Sequence, residues 1–200
     1  MKYFKSLLMI GSLALLAAGC ATSPSRFYTL NATAHRTVAP DATYGVIVGP
    51  VAMPAAVDRP QFVVMTAPNR VEVEEFNRWA APLGDSIARV VSINLGEQLG
   101  TMRVASAPMP DFGPAYRVAI HVERFESVLG DGKQDGSAML DAIWTVRGVN
   151  GENVVSGHFT LSEPAKGNSF EALAAAHSRL LEQLSAAIAV ALTDVAGGKK

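Results

Sequence analysis

The chain has 200 residues, 49% of them apolar and 18% charged, with 17 basic side chains against 18 acidic ones. Nucleic acid is excluded as an expected partner, because that binding rests on Lys and Arg neutralising phosphates and no stretch of the chain concentrates them. The length suits one domain with a substantial core, and the near-neutral charge leaves protein and lipid partners open.

In chain order, residues 1–19 have the layout of an export signal: Lys2 and Lys5 at the head, an apolar stretch over 6–18, and Ala17, Ala18 and Gly19 directly before Cys20. The stretch is well short of the roughly 20 residues a resident membrane helix needs, so cleavage is expected rather than a permanent span. Cys20 is the single cysteine. An unpaired thiol deep in an exported fold would meet an oxidising compartment, whereas at the cleavage point it can carry lipid. The run Leu16-Ala17-Ala18-Gly19-Cys20 resembles the bacterial lipobox, with Ala17 where Leu, Val or Ile is usual. The resemblance implies covalent acyl and diacylglyceryl groups on Cys20 and no other cofactor. At least two chains are needed, since one acyl chain holds a protein only marginally. By the sorting rule of the lipoproteins it resembles, Ala21 rather than Asp after the cysteine implies the periplasmic face of the outer membrane. The expected organisation is a signal peptide at 1–19, a lipidated cysteine and tether at 20–25, one periplasmic domain at 26–196 and a flexible tail at 197–200.

Residues 26–30 read as a first strand. Residues 44–51 form a continuous β-branched run, which predicts a strand buried on both faces. Residues 61–66 and 70–74 flank Pro68 and Asn69, strong turn punctuation, and predict a hairpin. In its second arm Val71 and Val73 alternate with Arg70, Glu72 and Glu74, so one face should be solvated. From 85 to 100 the spacing becomes helical, with Ile87, Val90, Val91, Leu95 and Leu99 on one stripe, Asp85 as N-cap and Gly100 as stop. A short strand at 103–106 is followed by the alternation Tyr116, Val118, Ile120 and Val122, then by strands at 138–149 and 154–161 joined through Asn150-Gly151, giving an antiparallel meander. Residues 168–195 predict a long terminal helix, opened by Asn168 with Glu171 three residues on. Strands then a helix, twice over, predict an α+β sandwich of mainly antiparallel sheet with two helices packed on it.

Chemistry is sparse. His35, His121, His158 and His177 lie far apart, no His-Glu-x-x-His stretch exists, and no metal site is expected. His121 and His158 could meet across neighbouring strands, where half-exposed strand histidines are the simpler reading. The loop beginning at Asp131 starts like a calcium loop, but Lys133 and Ala142 stand at positions that require oxygen ligands. Ser156, His158 and Asp141 are the only loose candidates for hydrolysis, and no catalytic residue is expected. Residues 49–83 are more informative. Residues 51–57 are apolar and interrupted by Pro54, unsuited to a helix or a central strand. Exposed, such a loop marks a contact surface; folded back, it covers core, and the two readings stand level. Phe76, Arg78 and Trp79 lie beside the break at Pro82; Trp and Arg are favoured at interface hot spots, with packing of Trp79 over the core as the leading alternative.

The string Gly49-Pro50-Val51, Met53-Pro54, Asp58-Arg59-Pro60-Gln61, Pro68-Asn69-Arg70, Glu75-Phe76, Arg78-Trp79-Ala80 and Pro82-Leu83, with Phe27-Tyr28 and Leu30 after the cysteine, closely resembles the ABC-type transport auxiliary lipoproteins, nearest to the paraquat-inducible protein C branch. That resemblance implies a non-enzymatic adaptor working with a mammalian-cell-entry-type (MCE-type) lipid-binding subunit and an inner-membrane transport component, moving phospholipid or related cargo between membranes. It also implies homo-oligomers, rings included. Met53, Pro54, Asp58, Arg59, Pro60, Arg70, Phe76, Arg78 and Trp79 are the candidate partner or oligomer interface. The alternative is a lipid carrier with its own hydrophobic pocket between sheet and helices.

Overall fold

Alternating side chains along three long strands supply the main inner surface of the molecule. The computed structural model describes residues 23–36, 42–131, 134–151 and 155–197. Cys20 and the signal lie outside them. The elements are β1 (Arg26–Tyr28), β2 (Gly45–Ala52), β3 (Gln61–Ala67), β4 (Arg70–Trp79), α1 (Leu83–Leu99), β5 (Val104–Ser106), β6 (Ala115–Val128), β7 (Ser137–Arg147), β8 (Val155–Pro164) and α2 (Phe170–Ala196). They form a three-stranded sheet of order β1-β4-β3 and a five-stranded sheet of order β5-β2-β6-β7-β8. The α+β class and the two packed helices are as the sequence predicts, and β6, β7 and β8 form the expected antiparallel meander. Both sheets are nevertheless mixed: β2 runs parallel to β5 and β6, and β1 parallel to β4. Parallel neighbours need a long crossover, and the β3–β4 hairpin followed by α1 provides it between β2 and β5.

The core lies between the larger sheet and the helices. Val118, Ile120, Val122, Leu140, Ala142 and Val146 point inward and meet Ile87, Val90, Val91 and Leu95 of α1 and Leu173, Leu180, Leu181, Leu184 and Ile188 of α2. Helix ends depart slightly from expectation. Pro82 takes the N-cap position of α1 without a side-chain cap, leaving Asp85 in the first turn, where its charge suits the helix dipole. The Ser169 hydroxyl, not Asn168, caps α2 by accepting from the Ala172 amide at 3.1 Å. Gly100 ends α1 in the left-handed region, φ 64°, as expected of a glycine stop.

Polar groups inside the fold have specific tasks. Asn94, on the buried side of α1, accepts from the amides of Thr33 and Ala34, both at 3.1 Å. Ser178 accepts from Asn31 at 3.1 Å, and Arg89 donates to the Leu30 carbonyl at 2.7 Å. These bonds fasten the segment after β1 across both helices. His177 of α2 is fully buried, shares a 2.8 Å hydrogen bond with the Ser127 hydroxyl and stacks on Phe125 at 3.8 Å. Burial pushes its pKa down to about 3 from the ordinary 6.5.

Two measurements test this core. A Cβ at position 157 would lie 2.1 Å from the Trp144 ring, so Gly157→Ala should cost about 1–3 kcal/mol in urea unfolding; an unchanged midpoint would mean the indole can move aside. Between pH 6.5 and 3 the unfolded chain binds a proton at His177 that the folded chain refuses, so stability falls as pH falls. From pH 7 to pH 5 this group alone should remove about 2 kcal/mol. His177→Gln should lose that part of the pH dependence, and equal slopes in both proteins would contradict it.

Candidate functional site

Residues 53–60 leave the end of β2 as a tight loop. The Pro54 carbonyl accepts from the amides of Val57 and Asp58, both at 3.0 Å, and the Val57 carbonyl from Arg59 at 2.8 Å. The Pro60 carbonyl then accepts from the Trp79 amide at 2.7 Å, and Tyr28 from Ala80 at 2.9 Å. These bonds tie the loop to the far end of β4 and hold both against β1. Gly84 brings the first turn of α1 close as well: a Cβ there would lie 3.3 Å from the Val51 carbonyl oxygen.

Two surface hollows flank the loop. On one side Asp58, Arg59 and Pro60 surround the edge of Trp79 and, with residues 80–83, enclose about 320 Å³. On the other, Pro54, Ala56 and Val57 face Val63, Met65 and Val71 of the hairpin and residues 123–126 of β6 across about 280 Å³. The nine candidate interface residues are therefore only partly brought together. Asp58, Arg59 and Pro60 are exposed and adjacent; Pro54 belongs to the second hollow, and half-buried Met53 packs toward the core. Arg70 sits at the far tip of the hairpin, its Nε donating to Thr66 at 2.9 Å. Phe76 and Arg78 are half-buried, the Arg78 Nε donating to the Glu75 carbonyl at 3.2 Å. Trp79 is only 6% exposed and stacks on Phe62 with centroids 4.2 Å apart. Its indole packs into the core, so its part in any contact is to support the loop above it.

Val71 and Val73 stand outside the nine candidate interface residues. Their alternation with charged residues reads as one buried face, yet they are 52% and 41% exposed. The second arm of the hairpin is exposed from Arg70 to Val73, whereas Val63 and Val64 of the first arm are buried. Opposite them in register stand Met65 and Val63, so the apolar strip spans both arms.

The histidine pairing needs correction. His121 and His158 both register with Ile143, so β7 lies between them and they do not meet. His158 bonds Asp141 at 2.5 Å, while the Ser156 hydroxyl meets Thr145 at 3.3 Å, an arrangement unlike a nucleophile and base.

Residues 28–189 match the family of ABC-type transport auxiliary lipoprotein components. The chain belongs to this family. Among solved structures it is similar to protein XCC0632 from Xanthomonas campestris, at 21% identity and a TM-score of 0.68, covering 87% of this chain and 98% of that one. It is equally similar to an uncharacterised protein, at 20% identity and a TM-score of 0.68, covering 85% and 99%. Those likenesses concern the fold. No curated protein sequence matches the chain. Family membership makes this auxiliary lipoprotein a membrane-attached component associated with an ABC-type transporter. Among the described residues no helix is long and apolar enough to cross a membrane.

The burial difference between Trp79 and Arg59 gives a direct check. Trp79→Ala should destabilise the auxiliary lipoprotein by about 3–5 kcal/mol, and Arg59→Ala by no more than about 0.5 kcal/mol. Thermal unfolding of the two variants side by side measures this; similar losses in both would contradict the placement of the indole.

Proposed function

We propose that this lipoprotein is a non-enzymatic adaptor, anchored through acylated Cys20 at the periplasmic face of the outer membrane, which docks an MCE-type lipid-binding subunit by its 53–60 loop and β3–β4 hairpin. The observation that carries the reading is the exposed apolar strip of Val71 and Val73 beside Pro54, Ala56 and Val57. Exposed apolar surface on a fixed scaffold is what partner contacts use. The backbone bonds that pin the loop reduce the ordering cost of association. Charges at the rim, Asp58, Arg59, Arg70 and Glu123, would steer and orient the partner more than hold it. An inner-membrane transport component completes the assembly, and several copies ringed around the partner belong to the same proposal.

The carrier reading asks for a lipid-sized space between sheet and helices. Between the larger sheet and α2 that region is filled by side chains with no exposure, among them Leu140, Leu173, Leu180, Leu181, Leu184 and Ile188. This supports docking over carriage.

The test is recovery of partners from envelope membranes with the lipidated chain as bait. Val71→Lys combined with Val73→Lys should abolish recovery of the MCE-type subunit and shift stability by less than about 0.5 kcal/mol, as exposed substitutions do. Cys20→Ala should release the chain from the membrane fraction. Full recovery with the double-lysine variant would overturn the docking surface; co-purifying phospholipid on a chain lacking its acyl groups would turn the reading toward carriage.

A further inference from the structure

On the face of the larger sheet turned away from the helices, Glu123 of β6, Asp141 of β7 and His158 of β8 converge. Each offers one ligand atom, and these atoms lie within 4.8 Å of one another. The register explains the meeting. Asp141 sits between the buried residues Leu140 and Ala142 and so points outward, as does His158 between Gly157 and half-buried Phe159. On β6 an irregularity between Val122 and Arg124 turns Glu123 and Arg124 outward in succession before Phe125 returns to the core. Bulges commonly re-aim side chains in this way. The Arg124 guanidinium is the opposing charge, and Glu126 engages it through two bonds of 2.8 Å. Glu123, Asp141 and Glu126 together outweigh it.

We infer that Glu123, Asp141 and His158 form a binding site for a divalent transition-metal ion, with Zn²⁺ the best match to the donors. One imidazole nitrogen with two carboxylate oxygens is a zinc-type set, whereas calcium and magnesium prefer oxygen alone. Bonds of about 2.0–2.2 Å to a tetrahedral ion set ligand atoms about 3.3 Å apart. The 2.5 Å contact between His158 and Asp141 therefore opens by less than about 1 Å as the ion takes the place of the shared proton. His158 and Glu123 are exposed and free to adjust, while the Asp141 side chain, 16% exposed, is the fixed member. Three protein ligands leave a position for water or for an outside side chain. Glu123 also lines the hollow beside Val71, which places the ion at the rim of the apolar strip. The inference concerns the sheet face alone and stands whether or not the docking reading holds.

The experiment titrates Zn²⁺ into the full-length, untagged, chelator-washed chain in detergent, in competition with a chromophoric chelator. One saturable equivalent is expected. Removing a direct ligand should cost at least the roughly 10–100-fold that removing an outer-shell partner costs, so His158→Ala and Asp141→Asn should each weaken binding by that much. His121→Ala, on the same face but two strands from His158, should bind as the parent does. Zn²⁺ should also raise the thermal midpoint of the parent but not of His158→Ala, which keeps the test valid if a variant is itself less stable. Absence of saturable uptake, parent-like affinity in His158→Ala, or an equal loss in His121→Ala would overturn the site.

Discussion

The rings of Tyr28, Phe62, Trp79, Phe125, Phe170 and His177 meet where the small sheet lies against the rest of the molecule, and the architecture hangs on that contact. Phe62 lies 4.2 Å from Trp79, 5.1 Å from Phe170 and 5.6 Å from Tyr28; Phe125 stacks on His177. Among the described residues the two sheets share no hydrogen-bonded strand, so ring packing takes the place of a ladder. Aromatic pairs add about 0.5–1.5 kcal/mol each beyond the area they bury, enough in sum to fix the angle of the hairpin. The loop at 53–60 inherits its position from the same cluster through the bond between Pro60 and Trp79. A neutral imidazole is part of the arrangement, because a charge at His177 would sit between Phe125 and the apolar side of α2 with only Ser127 to answer it.

Much of this fold was legible beforehand because its signals are local. Period-two alternation marked β6, helical stripes marked α1 and α2, and Pro68-Asn69 and Asn150-Gly151 marked turns. Strand direction was not legible: the apolar run of β2 announces burial on both faces, but nothing in residues 45–52 states whether a neighbour runs parallel. The N-cap was missed by three residues at α1, where Pro82 stands without a side-chain cap, and by one at α2, where Ser169 caps in place of the adjacent Asn168. Asn94 shows a different limit. It sits among apolar neighbours on the inner side of α1 and looks like an interruption, until Thr33 and Ala34 are seen to need its oxygen.

The candidate site was legible in part for the same reason. The segment 51–57 stood out by composition, and Asp58, Arg59 and Pro60 gather beside Trp79. Trp79 itself illustrates that a residue type favoured at interfaces is also favoured in cores; only tertiary context separates the two. Val71 and Val73 were hidden in the opposite sense, because alternation says which residues share a face and not whether anything covers it. Glu123, Asp141 and His158 carry no spacing motif at all. Their proximity depends on a bulge in β6 and on the registers of two hairpins, quantities set by the whole sheet.

The parallel pairing of β1 with β4, Arg26 to Asn77 through Tyr28 to Trp79, would take on a mechanical meaning under the proposed anchor at Cys20. Tension entering at residue 26 loads this ladder in shear, so its hydrogen bonds resist together instead of opening one after another. Slippage would also have to drag the Tyr28 ring from beside Phe62 and Phe170. Load passing between the amino end and α1, which follows β4 at its opposite end, would thus run through this ladder and its rings.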